Sequence, residues 1–324
     1  MNYTQISPGQ VTPYSFDREH GIVGMMDCGG SNLAKIRRQL GDDIVKVLAT
    51  SRALDDERSS VVERAEEFGV PIAWFDFSKY EAGEGVVKGD YKKFVDGRHD
   101  ELQSDLLPDE IESVREEACY QLAEKIQAEL EALKLPNIPF FAAGFMALLS
   151  PEFVDDRYIL NIHPADLGYK ENGVPLLAGD AWKPSRKAME LGHTSLCSTM
   201  HRMEPEMDQG AIHMRGYKLV VEEGVIARVQ DSKKEGKRIG KLAQEALKHL
   251  GDHVVAGASF MDLFKENWGQ AEDTLCYKMK GEWMLVPEGI TIDDHVKNNP
   301  SSPFFRDEEF IQRVTDEFHR RVRE

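Results

Sequence analysis

No two of the four cysteines form a CxxC pair; Cys28, Cys119, Cys197 and Cys276 are scattered along 324 residues. That spacing argues against a disulfide framework and against a zinc site of the usual design, and it suits a reducing cytoplasm. Positive charge is scarce too, with 40 Lys and Arg against 57 Asp and Glu and a formal net charge of −17. So acidic a chain lacks the broad footprint that DNA, RNA or an anionic membrane requires, although a local basic pocket remains compatible with it. No run approaches the roughly 20 apolar residues of a membrane helix, and the N-terminus carries no apolar signal core. The expectation is a soluble, cytoplasmic protein for which nucleic acid is disfavoured as the main substrate. Its 41% apolar and 30% charged residues place it among ordinary globular chains.

The pattern of elements predicts an α/β fold, a mostly parallel twisted sheet flanked by helices with a small C-terminal extension. Residues 1–20 read as a polar arm, 21–268 as the catalytic domain with an insertion at 79–108, and 269–324 as the extension. Strands are predicted at Gly21 to Met26, Ile44 to Ala49 and Val70 to Phe77, with a helix over 57–68 between the last two. A covering helix shows Ile111, Val114, Ala118, Leu122, Ile126 and Leu133 on one face. Phe140 to Leu149 reads as a central strand buried on both faces together with the segment that leaves it, and Tyr158 to Ile162 makes the next strand. A loop over 164–185, a short helix from Ser185 to Leu191 and a strand from Leu196 to Arg202 follow. Ile239, Leu242, Ala243, Ala246, Leu247 and Leu250 share a helix face that Gly251 is placed to stop. Thr274 to Pro287 reads as a hairpin around Lys280-Gly281, and Glu308 to Arg323 as a terminal helix.

The chemistry concentrates at Asn161-Ile-His-Pro164. Asn161 offers an amide donor and His163 a group that titrates near neutral pH, both at a strand end where open α/β sheets bind ligands. His201 and Asp208 follow at a spacing that can complete an acyl-transfer site. The turn at Asp27-Cys-Gly-Gly-Ser-Asn-Leu33 lacks the spaced G-x-G-x-x-G, and the second strand ends in Ala49-Thr-Ser-Arg52 without an acidic residue for a ribose. A dinucleotide fold is therefore disfavoured. The turn suits a phosphate or carboxylate at a helix N-terminus, or is an ordinary βα turn capped by Ser31 or Asn32. His193, His201 and His213 show no recognised metal spacing.

Taken together, Cys28-Gly-Gly-Ser-Asn-Leu33, Gly144-Phe-Met-Ala-Leu-Leu-Ser-Pro151, Asn161-Ile-His-Pro164 and His201 with Asp208 resemble the 10-formyltetrahydrofolate-dependent formyltransferases, most closely the phosphoribosylglycinamide formyltransferases of purine biosynthesis. The resemblance runs from about Gly21 to about Leu250. It implies Asn161, His163 and Asp208 as the catalytic set, and a substrate phosphate on Gly29, Gly30, Ser31 and Asn32. It implies folate contacts at Met146, Ala147, Leu148, Leu149, Asn161, His201, Glu206 and Met207, a ribosyl contact at Glu245, and no metal. The implied reaction moves the formyl group of 10-formyltetrahydrofolate to a primary amine, glycinamide ribonucleotide or a related phosphorylated amine. A 10-formyltetrahydrofolate hydrolase and a non-catalytic folate-binding protein are the alternatives. Departures stand beside the match: Ala147 replaces a common Arg, Ala165-Asp-Leu-Gly-Tyr-Lys-Glu171 replaces the usual loop, and the tail beyond 270 has no counterpart in the short enzymes. Asp166 and Glu171 are either solvated loop charges or a preference for a cationic substrate. The formyl acceptor, the oligomeric state and the roles of the insertion and tail stay open.

Overall fold

A computed structural model describes residues 3–16, 21–26, 34, 37, 44–50, 63, 66–75, 120, 123–132, 138–142, 144–145, 149–179, 182–304 and 307–324. They belong to two compact units, Asp17–Ile159 and a second built from Met1–Phe16 with Leu160–Glu324. The expected insertion at 79–108 and the glycine turn at 29–32 lie outside the described residues.

In the unit Asp17–Ile159 the strands run parallel in the order Ile72–Phe75, Ile44–Thr50, Ile22–Met26, Phe140–Ala142. Ile22–Met26 has a neighbour on each side and every residue buried, as a continuous apolar run in a parallel sheet demands. The apolar stretch beginning at Phe140 gives only a three-residue strand. Chain direction then changes at the helix Pro151–Asp155, where Ser150 Oγ accepts from Phe153 N at 3.3 Å and Pro151 opens the first turn. Phe153 meets Phe140 edge to face with ring centroids 5.9 Å apart. Residues 123–132 are helical and bury Ala123, Ile126 and Leu130, so the predicted face is present where that helix is described.

Among the described residues the second unit holds two larger sheets and two two-stranded pairs, Lys170–Glu171 with Val174–Pro175 and Ser195–Leu196 with Leu219–Val220. In the first larger sheet, the order is Ile290–Thr291, Ile212–Arg215, Thr199–Arg202, Ile159–His163, antiparallel except for the parallel Ile290–Thr291 edge. The second is antiparallel and five-stranded, ordered Thr4–Ile6, Glu282–Leu285, Thr274–Met279, Trp268–Ala271, Thr12–Pro13. Residues grouped in sequence as an arm and as an extension thus share one sheet, with the N-terminal segment supplying both edges. Val11, Ala271, Cys276 and Trp283 form its buried cluster. The hairpin turns at Lys280 (φ 51°) and Gly281 (φ 87°), two successive left-handed residues of the kind a tight hairpin requires.

The helices of this unit are Lys183–Glu190, Glu223–Asp231, Lys233–Leu247, His253–Phe264, Ile292–Asn298 and Glu308–Arg323. Gly251 does not stop the third of them, contrary to its reading as a helix end. The chain continues through a π turn at Lys248–Asp252 straight into His253–Phe264. Glycine is needed there for a close approach, because a Cβ at 251 would stand 2.5 Å from Ser198 Cβ and Oγ. The predicted strand Leu196 to Arg202 also divides: Ser195–Leu196 pairs with Leu219–Val220, and Thr199–Arg202 joins the larger sheet. Helix Glu308–Arg323 buries Thr315, Phe318, His319 and Val322 at helical spacing. Its final carbonyls at Arg321 and Val322 accept from Arg238 at 3.1 and 2.7 Å. Among the described residues no helix is long and apolar enough to cross a membrane.

Candidate active site

Asn161 and His163 lie two residues apart on one strand, so the pleat places both side chains on the same face. The neighbouring antiparallel strand sets His201 opposite Asn161 and Thr199 opposite His163. A register shift after Met200, on the side facing Ile212–Arg215, re-aims that strand at His201. Across the pair, Asn161 Nδ2 stands 3.3 Å from His201 Nε2, and His201 Nδ1 stands 2.9 Å from the Arg202 carbonyl. The carbonyl can only accept, so the His201 proton sits on Nδ1 and Nε2 takes the amide hydrogen.

Asp208 enters from the loop between Thr199–Arg202 and Ile212–Arg215. Its φ of 59° is left-handed, a conformation aspartate tolerates better than most residues. The loop is tight, since a Cβ at Gly210 would meet the Arg202 carbonyl oxygen at 1.9 Å. This geometry sets the carboxylate between the two rings, with Oδ2 3.5 Å from His163 Nδ1 and Oδ1 3.6 Å from His201 Nε2. Oδ2 also accepts from Gly179 N at 3.0 Å. On the far side of its ring, His163 Nε2 donates to the Leu177 carbonyl at 2.7 Å. A neutral His163 then turns a lone pair towards Asp208, and an added proton would fill that gap.

Burial pushes His163 below its ordinary value, while the Asp208 charge and the Leu177 carbonyl pull it back up. The same burial takes His201 down to about 4, against the raising effect of Asp208, with His163 adding to the fall. Both rings are therefore neutral bases near pH 7. A buried carboxylate separated from two imidazoles by just more than a hydrogen bond can pass a proton, and Asn161 supplies a neutral donor beside it.

Local packing fixes the strand end. Thr199 Oγ1 donates to Ala165 O at 2.7 Å and accepts from Leu167 N at 3.3 Å, while Ser185 Oγ holds Pro164 O at 3.0 Å. Asp166 is ion-paired, with Arg215 Nε donating to it at 2.7 Å, and its side chain stays partly exposed. Glu171 is exposed.

The structure therefore brings together Asn161, His163, His201 and Asp208. Glu206 and Met207 lie exposed beside Asp208, Met207 at 58%. Glu245 is elsewhere, on the solvent side of Lys233–Leu247, paired with Arg321. Leu149 is buried in the other unit, and Met146, Ala147, Leu148 and Gly29, Gly30, Ser31 and Asn32 lie outside the described residues. Sequence reasoning did not single out Leu177, Gly179 or Thr199. The first two act through backbone groups that leave no residue-type signal. His193 packs against Tyr169 and His213 against Trp268, with tilted rings and centroids 4.1 and 4.5 Å apart. Among the described residues no group of three His, Cys, Asp or Glu is placed to hold a metal ion.

No protein-family model matches the chain, and no curated protein matches it. It is similar to a glycinamide ribonucleotide transformylase from Symbiobacterium toebii, with 18% identity and a TM-score of 0.48 over 78% of this chain and 92% of that one. It is similar to a phosphoribosylglycinamide formyltransferase from Campylobacter jejuni, with 19% identity and a TM-score of 0.45 over 75% and 97%. It is also similar to a formyltetrahydrofolate deformylase from Pseudomonas putida, with 17% identity and a TM-score of 0.42 over 81% and 71%.

Proposed function

We propose that this chain is a formyltransferase that moves the formyl group of 10-formyltetrahydrofolate to a primary amine, with glycinamide ribonucleotide or a related phosphorylated amine as acceptor. What supports the reading is the Asp208 carboxylate held 3.5 and 3.6 Å from His163 and His201, with the Asn161 amide across the strand pair. The amine nitrogen bonds to the formyl carbon, the bond from that carbon to the folate nitrogen breaks, and the amine proton ends on the released folate nitrogen. Asn161 donates to the oxyanion that forms between these events. His163 takes part once its Nε2 exchanges the Leu177 carbonyl for the reacting oxygen. Asp208 favours the imidazolium and accepts the amine proton directly or through water. His201 holds the Asn161 amide in orientation, with Glu206 and Met207 next to Asp208 as folate contacts. The buried free thiols Cys197 and Cys276 suit a reducing cytoplasm.

Tetrahydrofolate release from 10-formyltetrahydrofolate, followed with and without glycinamide ribonucleotide, tests the reading. Release that depends on the acceptor supports it. Formate release without any amine would make the protein a hydrolase, and folate binding without turnover would mean a different amine, to be sought by screening phosphorylated and sugar amines. Gly30→Glu, which sets a carboxylate where a phosphate is expected, should raise the acceptor KM before it touches kcat.

A further inference from the structure

An apolar concavity of the second unit, lined by no residue of the Asp208 cluster, lies where the helix Lys233–Leu247 and the π turn that follows it meet the C-terminal helix Glu308–Arg323. The groove there has a volume of about 510 Å³. Its apolar lining comes from Leu242, Ala246, Val314 and Phe318, a surface that water wets poorly. Its charged lining is three cations, Lys248, Arg313 and Arg321, against two carboxylates, Glu245 and Glu317.

The charge accounting is informative in a chain of net charge −17. Glu245 is taken by Arg321, and Glu317 is taken by Arg320 at 2.7 and 2.8 Å. Both carboxylates at the rim are thus neutralised by arginine. Lys248 has no carboxylate partner among the described residues, and Arg313 has only the face of Phe310 at 5.7 Å. Two cations are left to compensate an incoming negative charge at the edge of an apolar concavity.

The π turn is a second, independent pointer. Inserting an extra residue into a helix costs hydrogen-bond geometry, and such turns occur frequently at functional sites. On its inner side the turn packs Gly251 against Ser198, and Asp252 Oδ1 accepts from Ser198 Oγ at 2.6 Å. On its outer side Lys248 and His249 line the groove.

The geometry points to a second ligand site in this groove, for a small amphipathic anion whose apolar or aromatic body rests on the half-buried Leu242 and Val314, above the buried Ala246 and Phe318, and whose carboxylate, sulfonate or phosphate is met by Lys248 and Arg313. The inference does not rest on the formyl-transfer reading, since none of these residues belongs to the Asp208 cluster. A fluorescent naphthalene sulfonate, titrated into the full-length protein, is the probe. Binding should be saturable, should weaken with added salt, and should exceed that of a neutral naphthalene of the same size by about tenfold or more. Arg313→Glu and Lys248→Glu should each weaken it about tenfold, and Leu242→Trp, which fills the groove, should remove it at an unchanged melting temperature. Non-saturable fluorescence, equal binding of the neutral analogue, or charge-reversal variants that bind as the parent would each overturn the proposal. The two surface charge reversals guard against misfolding of the filled variant.

Discussion

Asp262 and Asp208 are both shielded aspartates facing histidine within the same unit, and they are treated in opposite ways. Asp262 Oδ2 receives His295 Nδ1 at 2.6 Å and the Tyr277 hydroxyl at 2.7 Å, and its Oδ1 receives Asn267 and Asn299 amides at 3.0 and 3.3 Å. His295 Nε2 lies 2.8 Å from Ser302 Oγ, so the ring is held at both ends. Every oxygen is satisfied, and the network ties together helices His253–Phe264 and Ile292–Asn298 and strand Thr274–Met279. Asp208, by contrast, has one backbone N–H and two imidazoles just out of hydrogen-bond range. A saturated carboxylate stabilises a fold, whereas an under-satisfied one keeps capacity for a proton or a substrate. The Asp262 network resembles a relay in its order of groups, but its aspartate and histidine are wholly buried and none of its oxygens is left to react.

The comparison breaks first at Asp262. Asp262→Ala should destabilise the protein by about 3–5 kcal/mol, because it strands buried donors on His295 and Tyr277, and denaturant unfolding should show it. Asn161→Ala should cut formyl transfer by about 100-fold to 1000-fold with the unfolding midpoint unchanged. Asp208→Asn should likewise nearly abolish turnover, yet leave stability unchanged or raised, since it removes a poorly satisfied charge. If Asp208→Asn unfolds the chain as Asp262→Ala does, the distinction between the two carboxylates is wrong.

A smaller effect sharpens the contrast through pH. His201 has a folded pKa of about 4 against its ordinary 6.5. Between those values the unfolded chain binds the extra proton, so stability should fall as pH drops from 6.5 and level off below 4. His201→Gln should flatten that slope in urea titrations. Smallest of all is Arg321→Ala, which removes the exposed pair with Glu245 and should change stability by about 0–1 kcal/mol without altering turnover.

Much of the sheet was legible because the signals are local. The alternation that puts Asn161 and His163 on one face is a property of any strand, the Lys280-Gly281 turn follows from backbone preference, and the terminal helix shows its period openly. Other elements hid for physical reasons. Helix His253–Phe264 is buried on nearly every side and so has no amphipathic period to read. Gly251 looked like a stop because glycine often ends helices, and only the approach of Ser198 explains why it stands inside one. Asp166 looked like a loop charge until the fold set Arg215 beside it.

The sequence by itself determined the residue types of the candidate site, the strand end that presents Asn161 and His163, and the acidity that disfavours nucleic acid, since these depend on composition and short-range geometry. Only the tertiary structure decided that His201 faces Asn161, that Asp208 reaches both rings from a left-handed backbone, and that Leu177 and Gly179 complete the cluster. It also decided that the N-terminal segment supplies the edges of the C-terminal sheet. Strand register, loop closure and backbone hydrogen bonds between residues far apart in the chain arise from packing as a whole, and no local pattern encodes them.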